Sequence, residues 1–144
     1  MNKKRVIFFI MTIAMMMLIF FFSSQNGEES SAISSGVFLK LKENFNVNID
    51  IGVIRKLTHL TEYLFLGVSA ILYVGTFKNS DEKSMAIATA ICVLYAVSDE
   101  FHQYFIANRD GRFGDVLIDS IGAMLGITIT MLILLIMRRK NDKK

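Results

Sequence analysis

The sequence predicts an all-α membrane protein, a four-transmembrane-helix bundle forming a single domain over residues 1–144. Three observations lead there. Hydrophobic residues make up 53% of the chain, with no proline and a mean hydropathy of +0.46, which is too apolar for disorder and unusual for a water-soluble domain. The apolar residues collect into four runs, at 6–22, 60–77, 85–98 and 116–137. Basic residues, in turn, favour alternate connections between those runs, the bias that orients multi-pass proteins.

A helix needs about 20 residues to cross roughly 30 Å of hydrocarbon. The first span, 6–22, follows Lys3, Lys4 and Arg5 and gives way to "FFSSQNG", which lacks a small-x-small cleavage pattern, so it reads as a retained signal anchor. An outer loop at 23–52 begins Ser-rich and continues as "GVFLKLKENFNVNIDIG". There Val37, Leu41 and Phe45, joined by Phe38, have helical spacing and predict a short amphipathic helix lying on the outer leaflet. The second span covers 57–77. The third apolar run is too short to cross alone, so the span must continue through "DEFHQYF" to give 84–104, which draws Asp99, Glu100, His102 and Gln103 to the interface. The fourth span, 114–137, carries Gly122, Ala123 and Gly126, small residues that permit close helix approach within the bundle or in a dimer.

With both termini cytoplasmic, ten of the basic residues lie inside and six outside, whereas three of the acidic residues lie inside and ten outside. The pI near 9.1 is therefore a topology signal. Aromatic residues sit in apolar runs and not among basic patches, so nucleic acid is not an expected partner. A lone cysteine, Cys92, excludes a disulfide framework and a Cys-rich zinc site, and its apolar surroundings suit a small packing residue.

The ionisable residues of the spans gather toward one face of the membrane. Arg55, His59 and Glu62 fall at i, i+4 and i+7 on the second span, Asp99, His102 and Gln103 at i, i+3 and i+4 on the third, and Asp115 and Asp119 at i and i+4 on the fourth. Solvated helix ends account for Arg55, Lys56, Glu100, Asp110 and Asp115. They account poorly for Glu62 and Asp119, each followed by an apolar run, where an interhelical ion pair competes with a functional site. Arg109 and Arg112 stand in the Gly-containing turn "NRDGRFGD", and guanidinium forks there suit phosphate or carboxylate; for Arg112 pairing with Asp110, Asp115 or Glu100 is the favoured role.

Taken in order, "FSSQ", "RKLTHLTEYLFLG", "YAVSDEFHQYF" and an Arg followed by "GDVLIDSIGAMLG" resemble the VanZ-like family of small bacterial membrane proteins, from about residue 19 to 126. The resemblance implies a four-span bundle in the bacterial cytoplasmic membrane and a link to teicoplanin resistance and to chemistry on lipid headgroups. It marks Ser24, Gln25, Arg55, Lys56, His59, Glu62, Tyr63, Asp99, Glu100, His102, Gln103, Arg109, Asp115 and Asp119 as the family's polar signature. Two departures stand out. Ala107-Asn108 replaces the Pro-Gly common before the Arg, and Asp119 occupies a position often taken by Asn.

Two functional hypotheses follow. In the first, an enzyme acts on a phosphate-linked lipid or cell-wall precursor at the outer leaflet: His59 or His102 serves as general base or nucleophile, Glu62 or Asp99 orients the imidazole, and Arg55, Lys56 and Arg109 hold the phosphate, with Gln103, Asp115 and Asp119 completing the substrate-binding set. In the second, a non-catalytic envelope protein binds an antibiotic such as an acylated glycopeptide, a lipid headgroup or a partner. The sequence requires no cofactor. His59, His102, Glu62 and Asp99 have ligand chemistry for a divalent metal, but there is no H-E-x-x-H motif, and no metal is assigned. Homo-oligomerisation is compatible with the chain, and a transporter is disfavoured because no charged path continues toward the cytoplasm.

Overall fold

The structure, a computed structural model, describes residues 2–25, 35–36, 39, 43, 50–77, 79–107 and 113–142. Four helices run through them in order: α1 Lys3–Ser23, α2 Ile51–Val74, α3 Asp81–Gln103 and α4 Phe113–Asn141. All four are long and apolar enough to cross a membrane. At 1.5 Å per residue the shortest, the 21 residues of α1, reaches about 31 Å. The expected amphipathic helix at Val37, Phe38, Leu41 and Phe45 lies outside the described residues, as do Arg109 and Arg112.

Polar side chains set the helix starts. Asn2 accepts from the Lys4 amide, Asp50 from Gly52 at 2.8 Å, and Ser80 from Lys83, each satisfying an amide that no preceding carbonyl can reach. Asp50 caps α2, so the helix begins at Ile51, six residues before the expected second span: Ile51, Val53 and Ile54 make its first turn apolar, but Arg55 and Lys56 separate that turn from the main apolar run. α3 does extend past its apolar run through the polar "DEFHQ" and ends at Gln103.

α2 is central and packs against the other three helices, most extensively against α4. These two run parallel, and glycines set their separation. Gly122 and Gly126 of α4 lie against the backbone of Leu60 and Leu64, and Gly67 of α2 lies against that of Ala123, so closely that a Cβ at any of the three would collide with a carbonyl oxygen. The Gly-x-x-x-Gly pattern thus works inside the bundle. Beneath it the core continues through Tyr63, Leu66, Ala70 and Ile71 of α2, Ala88, Cys92 and Ala96 of α3, and Ile127 and Met131 of α4. Cys92 is fully buried there as a packing residue.

Outward-facing positions are apolar. Phe9, Ile10, Phe20 and Phe21 on α1 and Leu132, Ile133 and Ile136 on α4 are exposed, a surface that suits hydrocarbon and would drive aggregation in water. The chain is accordingly a multi-pass membrane protein. α1 is tied to α3 by the Tyr95 hydroxyl, which donates to the Met16 carbonyl at 2.5 Å. Tyr95→Phe should cost about 0.5–1.5 kcal/mol of stability, read as a lowered unfolding temperature in detergent.

The start of α1 and the end of α4 lie at one end of the bundle, beside the connection between α2 and α3. There Arg5 donates to the hydroxyl and carbonyl of Thr76 at 3.2 and 3.0 Å and stacks its guanidinium 4.2 Å from the Phe77 ring centroid. Arg138 donates to both carboxylate oxygens of Asp81 at 3.1 and 2.8 Å. The Arg138 pair is largely exposed, so Arg138→Ala should change the unfolding free energy by less than about 1 kcal/mol.

Candidate functional site

The opposite end holds the polar residues, placed there by helical spacing on three elements. On α2, His59, Tyr63, Leu66 and Ala70 follow one another at i, i+4, i+7 and i+11, so the stripe that buries the core apolar residues carries the imidazole inward one turn above them. On α3, Cys92, Ala96, Asp99 and Gln103 keep the same spacing, and all four are buried. On α4, Asp119 precedes Gly122, Ala123 and Gly126 on the buried face. Polar groups therefore continue the core stripes toward the membrane boundary.

The glycine contacts between α2 and α4 bring two of these groups face to face. His59 Nδ1 stands 3.5 Å from Asp119 Oδ1. The Asp119 side chain has no solvent exposure and that of His59 only 15%. Asp99 approaches from α3, and one ligand-type atom from each of His59, Asp99 and Asp119 lies within 4.8 Å of the others. Gln103 donates from Nε2 to Asp99 Oδ2 at 3.2 Å and holds that carboxylate from one turn further along α3. An isolated buried carboxylate costs several kcal/mol, so a cluster of this kind exists only where other groups compensate it.

Closer to the helix ends is a second contact. His102 Nε2 meets the Ser24 hydroxyl at 3.2 Å, and its ring stacks on Phe20 at a centroid distance of 4.8 Å. Ser24 also donates to the Phe20 carbonyl, so the α1 terminus fixes both partners of His102. Beside this pair an apolar groove of about 570 Å³ runs along α1, with Met16, Phe20, Ser24 and Tyr95 among its walls. Its lining is almost wholly apolar, with Ser24 at its polar end.

Of the residues singled out from the sequence, His59, Asp99, Gln103 and Asp119 come together in the bundle. His102 sits one turn from Asp99 and turns to α1. Arg55, Glu62 and Asp115 are half-buried on the flanks of the cluster, one turn from His59 or Asp119, while Lys56 is exposed. Glu100 departs from expectation: a solvated helix end was to account for it, yet it is buried at 6% exposure. Its spacing from Ala96 and Cys92 on the small-residue stripe is the signal that points inward. Asp119, at a position often taken by Asn in the family, stands directly against the His59 imidazole. Tyr63, one turn from His59 on the same inward stripe, is fully buried.

The geometry places one imidazole at the helix ends, a buried cluster of an imidazole and two carboxylates one turn below it, and an apolar groove along α1. A family model described as VanZ/LLP1 matches residues 8–135, nearly the whole chain. No curated protein and no solved structure matches it.

Proposed function

Because the chain belongs to the VanZ/LLP1 family, we propose that it acts on a phosphate-bearing lipid headgroup or lipid-linked cell-wall precursor at the outer boundary of the bacterial cytoplasmic membrane. The observation that carries this reading is the convergence of His59, Asp99 and Asp119 from three helices inside the bundle. Intramembrane ionisable residues are costly, and simple helix adhesion needs only one pair of them. Three, with Gln103 in support, suit a group that must be held and polarised.

Roles divide by depth. His102, half-buried at the helix ends, meets an incoming headgroup first and accepts the proton of an attacking water or hydroxyl. Asp99 and Asp119 with His59 form the charged centre one turn below and set the field in which the reacting group sits. Arg55, Lys56 and Arg109 supply positive charge at the water side, where phosphate arrives. The acyl chain of the substrate lies in the groove along α1. Altered headgroups or precursors would in turn change how cells respond to an acylated glycopeptide such as teicoplanin.

Purified protein incubated with labelled phospholipids and lipid-linked precursors tests the reading. Turnover by the wild type should fall on the order of a hundredfold or more in His102→Gln, which keeps a polar side chain against Ser24 but cannot take up a proton. Binding without turnover, equal in the two proteins, would replace the enzyme with a headgroup-binding protein.

A further inference from the structure

We propose that His59, Asp99 and Asp119 form a binding site for one divalent transition-metal cation of the zinc or manganese class, buried between α2, α3 and α4. The donor set is one imidazole nitrogen and two carboxylates, drawn from three helices and within 4.8 Å of one another. Asp119 is fully buried, and neither of its oxygens accepts a hydrogen bond. His59 Nδ1, also buried, makes none either, although Asp119 Oδ1 is only 3.5 Å away.

That distance is too long for a good hydrogen bond and right for two ligands of one ion. Ligands about 2.1 Å from a tetrahedral centre stand roughly 3.4 Å apart. The other separations reach at most 4.8 Å, so side-chain rotation has to close them by no more than about 1.4 Å. A cation there would satisfy both Asp119 and His59 Nδ1 and would be shared with Asp99, whose carboxylate Gln103 already braces in the manner of an outer-sphere partner. The nitrogen donor and the small ligand number disfavour magnesium and calcium, which take six or more oxygens.

Three protein ligands leave a coordination position open. The Tyr63 hydroxyl, one turn from His59 on α2, is likewise fully buried and without a hydrogen-bond partner. A phosphate oxygen is the occupant that the headgroup reading supplies. This last step rests on that reading, whereas cation binding does not.

The test uses the full chain in detergent, stripped with chelator and dialysed, with no lipid added. Titration with Zn²⁺ or Mn²⁺ should show one equivalent bound, Mg²⁺ none, and Co²⁺ should give visible ligand-field bands. Asp119→Asn should weaken binding by more than about 100-fold, and His102→Gln should leave it unchanged. A second readout needs no variant at the site: bound Co²⁺ should broaden the imidazole resonances of His59 far more than those of His102. Absence of stoichiometric binding, or equal binding by Asp119→Asn, overturns the proposal. Stoichiometric cation with no turnover of any lipid would leave it standing and remove the enzymatic reading instead.

Discussion

His59→Ala is expected to lower the free energy of unfolding by about 3–5 kcal/mol, a large share of what a domain of this size possesses. The cause is Asp119. Its side chain has no exposure, and among the described residues His59 is the ionisable group of opposite character beside it, at 3.5 Å. Removing the imidazole leaves a carboxylate in an apolar bundle with Asp99 nearby and a cavity where the ring stood. The pair is better judged by its coupling than by either single change. His59→Ala combined with Asp119→Ala should cost clearly less than the two single costs added together, since the double variant strands no charge. Thermal or denaturant unfolding in detergent reads all three variants. Additive costs, or a His59→Ala effect below about 1 kcal/mol, would mean that the two residues do not depend on each other.

Gly126→Leu should be nearly as damaging, by about 3 kcal/mol or more. A Cβ at Gly126 would collide with the Leu64 carbonyl oxygen and press on the Leu64 carbonyl carbon and the Val68 amide at 3.0 and 3.1 Å. Backbone atoms of a packed helix cannot rotate aside as a side chain does. α4 would have to move off α2, and the face-to-face placement of His59 and Asp119 would go with it. Met124→Leu, two residues away and half exposed to lipid, is the control and should be close to neutral. Loss of folded protein or a steep drop in unfolding temperature for Gly126→Leu alone is the expected result; equal stability of the two variants would place the glycine contact outside the energetics of the bundle.

The four helices were legible because hydrocarbon demands long apolar runs, and the run-through of α3 into "DEFHQ" followed from length alone. The start of α2 was not, since Arg55 and Lys56 interrupt the apolar pattern between Ile51, Val53 and Ile54 and the main run, and only the Asp50 cap shows that one helix runs through both. For the site, spacing placed His59, Asp99 and Asp119 on inward stripes of three helices, which is most of what brings them together. It did not say which carboxylate meets the imidazole. That depends on the axial register of α2 against α4, fixed where Gly122 and Gly126 touch Leu60 and Leu64, and a sequence shows the small residues without showing the backbone they touch. The Ser24–His102 contact was hidden for the same reason: "FSSQ" and "DEFHQ" are separated by most of the chain, and only the packing of α1 on α3 joins them. Glu100, read as a solvated end, shows how a charge can be misplaced when the stripe it shares with Cys92 and Ala96 is overlooked.

The chain contains two histidines, which makes the central claim open to direct observation. Imidazole resonances of isotope-labelled protein in lipid nanodiscs can be assigned with His59→Gln and His102→Gln and then followed as phosphatidic acid replaces diacylglycerol of the same chain length. If a phosphate-bearing headgroup enters this site, His102 should shift first and His59 should follow, and diacylglycerol alone should move neither. Resonances of both imidazoles that stay fixed across the phosphatidic acid series, and across a lipid-linked precursor tested in the same way, would contradict the account.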